Sequence, residues 1–306
     1  MRRAWLGLVV VFGTACGNGN ADAVDTVDDV LAPDAAPLPP VVFGGDRPVQ
    51  LGVPFDVEAG ETYPLFLILH GYGVDGFTQQ AYLGLGALRS TPGAFVLAPD
   101  GTLDDGGNRF WNASGACCDF ADNGVDDVAY LGGLIDDVTA AWPVDPARIV
   151  VVGHSNGAFM AYRLACDRAD VVTGIAELAG AGISTDDAVC TPSAPVNVLH
   201  MHGTNDATVA FGGGVLLAGM DPYPDAVTTT GQWADDNGCS VNRDEHASID
   251  IITNVPGFET VPSDYRDCPA GGAVTLWQID GGQHIPTLTD GFAPALIDWL
   301  TTHPRP

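Results

Sequence analysis

The stretch from Ile149 to Ala165 constrains the fold more than any other part of the chain. Ile149, Val150, Val151 and Val152 read as a strand buried on both faces. Gly153-His154-Ser155-Asn156-Gly157 follows, a G-x-S-x-G, and Ala158 to Ala165 is a helix-forming run. Strand, sharp turn and helix form the context in which G-x-S-x-G holds its serine on an elbow above a sheet. Glycine at both ends lets the backbones approach where the turn is tight. A chance match among 39 glycines would lack that context. Ser155 is therefore the first candidate nucleophile.

The remaining chain supplies a sheet for the elbow. Leu65 to Leu69 and Ala94 to Ala98 are short apolar runs and read as central strands. Val171 to Ala179, Val196 to His202 and Ala273 to Ile279 read the same way. Val49 to Val57 alternates loosely, an edge strand that Pro54 limits. Val128, Leu131, Ile135, Val138 and Ala141 recur at steps of three and four, which predicts a helix over 125–142 ended by Pro143. Asp126 and Asp127 open that helix, where carboxylates suit the dipole. Helices are also expected over Gly76 to Arg89, despite Gly84 and Gly86, over Asp225 to Asn237 and over Ala293 to Thr301. Alternating strands and helices predict an α/β domain over 47–306, with a mainly parallel central sheet and helices on both faces. Right-handed crossovers then bring the loops after the strands to one edge. The long Gly-, Asp- and Asn-rich loop over 101–124 is expected to be functional.

Charge and cysteines bound the setting. The chain has 39 acidic residues against 11 basic ones, all arginine, for a net charge of -28. That balance argues against nucleic acid or anionic membrane surfaces as partners and favours neutral or cationic substrates. Met1-Arg2-Arg3 and the apolar run Leu6 to Phe12 read as an export signal, too short to span a bilayer. Thr14-Ala15-Cys16-Gly17 resembles a lipobox. Residues 1–16 are thus expected to be a signal peptide, with Cys16 the candidate lipid anchor or simply near an ordinary cleavage site. No transmembrane helix is expected in the mature chain, which would be secreted or lipid-anchored at the cell envelope. Residues 17–46 read as a disordered acidic linker. The other six cysteines are Cys117, Cys118, Cys166, Cys190, Cys239 and Cys268. An even count in an exported chain implies disulfides, with fifteen pairings open. Cys239 with Cys268 is the one pair expected, and no C-x-x-C spacing points to a metal site instead.

A serine nucleophile needs a base, and the base needs a carboxylate to orient it. Asp206 stands just past the strand ending at His202, although an Asn-Asp pair after glycine is also ordinary turn chemistry. Asp221, Asp225 and Asp235 are placed less well. His284 lies on a glycine-led loop after the strand ending at Ile279. His200 and His202, within a strand, read as structural. His246 and His303 read as solvated, and His154 is expected to point away from Ser155. Two backbone N–H groups should meet the developing oxyanion. Asn156 would give one and Tyr72, in His70-Gly71-Tyr72-Gly73, the other. Trp111 reads equally as a substrate-cleft residue or as core.

These segments resemble, in order, the polyhydroxybutyrate depolymerase-like esterases, a group that includes feruloyl and acetylxylan esterases. The matching pieces are Pro64 to Gly73, Ala98-Pro99-Asp100-Gly101, Phe110-Trp111-Asn112, Asp126-Asp127-Val128, Gly153 to Gly157, His202 to Asp206 and Gly281 to His284. The resemblance implies an α/β-hydrolase fold, a Ser155, Asp206 and His284 triad, an ester substrate and no cofactor or metal. Family members often follow the catalytic histidine with Trp-Pro; here Ile285-Pro286 stands instead. That departure turns the expectation from insoluble polyester toward soluble oligomers or plant-cell-wall esters. A serine peptidase on the same fold and a non-catalytic surface-binding lipoprotein are the alternative functions.

Overall fold

The computed structural model describes residues 39–183 and 190–306. The expected signal peptide, Cys16 and the expected linker up to residue 38 lie outside the described residues. Eight strands form the central sheet: β1 Tyr63–Leu69, β2 Phe95–Leu97, β3 Val144–His154, β4 Gly174–Leu178, β5 Asn197–Gly203, β6 Arg243–Glu245, β7 Thr260–Tyr265 and β8 Val274–Ile279. Their order across the sheet is β6-β7-β8-β5-β4-β3-β1-β2. From β8 to β2 every neighbouring pair is parallel, and β6 and β7 add an antiparallel edge.

Side chains alternate across the sheet into two cores. Leu65, Leu67, Ile149, Val151 and Val198 face a core shared with α2 (Asp127–Ala141), α3 (Asn156–Asp167) and α4 (Ala226–Asn237). Phe66, Ile68, Val150, Val152 and Leu199 face the other, closed by Leu83, Leu85 and α5 (Phe292–Thr302). The mainly parallel α/β sheet expected from the sequence is present. Register aligns the carboxyl ends: Leu69 pairs with Gly153, His154 with Leu178, and Gly203 with Ile279. The loops after β1, β3, β5 and β8 therefore meet along one edge.

Boundaries differ where local chemistry intervenes. The helix expected over Gly76 to Arg89 stops at Tyr82, because Gly84 takes φ 68 and a single 3-10 turn, Leu85–Ala87, follows. That helix is α1. The edge strand expected at Val49 to Val57 is reduced to Val49–Gln50, which pairs with Val42–Phe43 upstream of Arg47. Asp126 caps α2 by accepting from Ala129 N at 2.8 Å, as its position suggested. Asp127 does more. It is 1% exposed, pairs with Arg47 Nη1 at 2.7 Å and accepts from Asn112 N at 2.8 Å. Burial raises its pKa, and the Asn112 and Arg47 contacts oppose that rise. Disulfides join Cys239 to Cys268, the expected pair, as well as Cys166 to Cys190 and Cys117 to its neighbour Cys118. Among the described residues no helix is long and apolar enough to cross a membrane.

Candidate active site

Ser155 stands between β3 and α3 with φ 55, a conformation side chains rarely adopt. The flanking glycines explain why the chain tolerates it. A side-chain carbon at Gly153 would collide with the Gly157 carbonyl, and one at Gly157 with the Leu69 carbonyl. The elbow is thereby pressed against the end of β1.

The loops after β5 and β8 interlock. Asn205 N donates to Gly282 O at 2.9 Å, and Gly281 N to Thr204 Oγ1 at 2.8 Å. A side chain at Gly203 would strike the Gly282 carbonyl. This contact brings Asp206 and His284 together across 78 residues. His284 Nδ1 lies 2.8 Å from Asp206 Oδ2, and His284 Nε2 lies 2.9 Å from Ser155 Oγ. With Nδ1–H donated to the carboxylate, Nε2 is left to accept the serine proton. Asp206 is 6% exposed, and its Oδ1 accepts from Thr208 N at 2.8 Å and Val209 N at 2.9 Å. Burial pushes its pKa up, but hydrogen bonds from His202, His284 and Thr208 outweigh burial and hold it well below the usual carboxylate range. Asp206 therefore stays ionised beside His284. Asp221, Asp225 and Asp235 make no contact with His284 among the described residues; Asp225 caps α4.

Asn156 follows Ser155 directly in the chain, and Gly71, which precedes Tyr72, packs beside Ser155. A side-chain carbon at Gly71 would come within 3.4 Å of Ser155 Cβ. Neighbouring amides are committed: Gly71 N to Gln79 Oε1 at 3.2 Å, Gly73 N to Arg109 O at 2.8 Å and Ser155 N to Leu178 O at 2.9 Å. Among the described residues no protein acceptor engages Tyr72 N or Asn156 N. The Tyr72 hydroxyl donates to Asp104 and accepts from Asn108 Nδ2 at 3.2 Å. The Tyr72 ring meets Phe120 edge-on at 5.1 Å, and Phe120 borders a cavity of about 460 Å³ with Asn112, Leu217 and Met220. The larger cavity of about 770 Å³ lies between Tyr82 and α5, and Ser155, Asp206 and His284 are not among its lining residues.

Trp111 requires correction as a substrate-binding residue. It is 0% exposed, so its ring faces the core and not the cleft. Its Nε1 donates to His70 O at 3.1 Å, and its backbone pairs both ways with the Asn156 amide, at 2.7 and 2.9 Å. It thus braces both segments that carry the free N–H groups. His154, expected to point away from Ser155, reaches the backbone of His284. Its Nε2 donates to His284 O at 2.9 Å, and the two rings lie 5.2 Å apart. Only the tertiary course of the 281–288 loop brings these together, so no sequence signal marked His154. His154→Phe keeps the ring but removes the donor. It should lower kcat roughly 10-fold with KM unchanged, as steady-state kinetics would read.

Burial lowers the His154 pKa to about 4 and the His200 pKa to about 3. Unfolded, both titrate near 6.5. A depressed folded pKa contributes stability above the unfolded value and loses it as pH falls toward the folded one. Glu177, which burial holds protonated, takes back one proton over the same range. His70, lowered by burial as well, adds to the two histidines, so stability should fall by on the order of 1–2 kcal/mol per pH unit between roughly pH 6 and 5. Urea titrations at those pH values would measure it; stability rising on acidification would contradict it.

A serine elbow after β3, an acid after β5 and a histidine after β8, on a mainly parallel sheet, define an α/β hydrolase. Acetyl xylan esterase from Aspergillus awamori has this fold too: it is 15% identical with a TM-score of 0.56, covering 83% of this chain and 93% of that one. No protein-family model matches the chain. Feruloyl esterase B of Piromyces equi is 32% identical over 197 residues, 63% of this chain and 34% of that protein. Feruloyl esterase C of Emericella nidulans is 30% identical over 211 residues, 65% of this chain and 70% of that protein. The chain spans about half the length of the first curated relatives it matches. It belongs to the feruloyl esterase family of α/β hydrolases.

Proposed function

We propose that this chain is a serine carboxylic-ester hydrolase acting through an acyl-enzyme on feruloyl- or acetyl-type esters. The observation that carries the proposal is the unbroken relay Ser155 Oγ, His284, Asp206, beside two unengaged backbone N–H groups. Ser155 attacks the ester carbonyl while His284 takes its proton. The N–H groups of Tyr72 and Asn156 receive the developing oxyanion. Asp206 holds the His284 tautomer and stabilises its cation. His284 then protonates the leaving alcohol, and water, activated by the same base, releases the acid. The names of the curated relatives support a feruloyl ester as the first substrate to try. Phe120, edge-on against the Tyr72 ring, and the exposed Ile285 next to His284 supply apolar surface for an acyl group or its alcohol. Soluble hydroxyalkanoate oligomers form the second substrate group.

The test is a panel of methyl ferulate, p-nitrophenyl acetate and hydroxybutyrate oligomers with wild type and Ser155→Ala. Turnover is expected to vanish in the variant on every ester. Turnover that persists, or amide cleavage without ester cleavage, would sink the proposal. The three disulfides support residence in an oxidising compartment outside the cytoplasm. Cell fractionation that finds the protein in the cytosol with free thiols would overturn that part.

A further inference from the structure

Behind Asp206 the core between the sheet and α3 holds four polar side chains that the ester chemistry does not use. His202, His200, Glu177 and Tyr162 are at most 1% exposed. They form one continuous chain. His202 Nε2 lies 2.8 Å from the Val209 carbonyl, which can only accept, so Nε2 carries the proton. The same nitrogen lies 3.5 Å from Asp206 Oδ2, the oxygen that His284 contacts. His202 Nδ1 is then an acceptor, 3.1 Å from His200 Nε2, which must donate. His200 Nδ1 is left as an acceptor, facing Tyr162 OH at 2.8 Å and Glu177 Oε1 more closely. Burial keeps Glu177 protonated and His200 neutral, so the glutamic acid can donate to His200. Tyr162 OH donates to Glu177 Oε1 at 2.6 Å. Every hydrogen bond in the chain runs the same way and ends at the loop that carries Asp206.

We propose that His202 and His200 are positioning residues for Asp206: Glu177 and Tyr162 orient His200, His200 sets the tautomer of His202, and His202 holds the 203–209 loop. The inference rests on reading Ser155, His284 and Asp206 as the catalytic relay. The direction of the chain matters to the acid. In the other tautomer, His202 would turn a lone pair toward both the Val209 carbonyl and the Asp206 carboxylate. One buried hydrogen bond would be lost and a repulsive contact added beside the charge that steadies His284. A core histidine pair without this role would have no reason to deliver its terminal N–H beside that oxygen.

The test reads tautomers directly. Protein labelled with 15N-histidine is measured by long-range 1H–15N correlation at pH 7, beside steady-state kinetics on p-nitrophenyl acetate. In wild type, His200 and His202 should both carry their proton on Nε2. In His200→Phe, His202 should lose that single tautomer, and kcat should fall roughly 10-fold to 100-fold with KM unchanged. His200→Gln, whose amide can again donate to His202 Nδ1, should restore most of kcat. Wild-type His202 protonated on Nδ1 would overturn the inference without any variant. So would His200→Phe with wild-type kcat. The NMR arm needs no turnover. Ester hydrolysis surviving in Ser155→Ala would remove the catalytic reading while the tautomer result stood.

Discussion

Asp206→Asn should lower kcat for ester hydrolysis about 10⁴-fold while the protein melts near the wild-type temperature. The asparagine carbonyl can still accept from Thr208 N and Val209 N, which hold the loop at 2.8 and 2.9 Å. Its NH₂ group then occupies the place of Oδ2, 2.8 Å from His284 Nδ1. A donor at that point forces the proton of His284 onto Nε2, and Nε2 can no longer take the proton of Ser155. Initial rates and a thermal melt separate this chemical loss from unfolding. A fall of less than about 10-fold would mean that Asp206 does not set the His284 tautomer.

Arg47→Ala should cost about 3–5 kcal/mol of stability, read as a shift in the urea midpoint. Asp127 is 1% exposed, and Arg47 is its salt-bridge partner at 2.7 Å. The guanidinium also donates to Thr102 Oγ1 at 3.1 Å and lies 3.6 Å over the Tyr130 ring. Removing it leaves a buried carboxylate unpaired. Arg47→Lys should recover only part, because a point charge cannot both stack and fork. The loss should reach activity as well. Asp127 holds Asn112 N, and the adjacent Trp111 backbone holds the Asn156 amide. A midpoint unchanged in Arg47→Ala would show that the pair contributes nothing net.

The parts of this molecule that were legible in sequence are those dictated by local chemistry. The run Ile149 to Val152, the glycine-flanked Ser155 and the strand ends before Asp206 and His284 each carry their own signal. Strand-end placement then anticipated that Asp206 and His284 meet beside Ser155. What the sequence hid depends on contacts across the fold. Trp111 looks identical in sequence whether it lines a cleft or fills a core; only packing against His70 and Asn156 decides it. His154 acquires its partner 130 residues away. Arg47 lies 80 residues from Asp127. The antiparallel edge strand β7 was missed because Pro262, Ser263 and Asp264 break its apolar alternation. The end of α1 turned on a single glycine, Gly84, in a left-handed conformation.

The central claim is that Ser155 is a nucleophile activated by His284. The most direct measurement is intact-protein and peptide mass spectrometry after exposure to a fluorophosphonate ester. The account predicts one adduct per chain, located on Ser155, with labelling lost in Ser155→Ala and strongly slowed in His284→Ala. An adduct on another residue, or a Ser155 that stays unmodified while the protein hydrolyses esters, would contradict it.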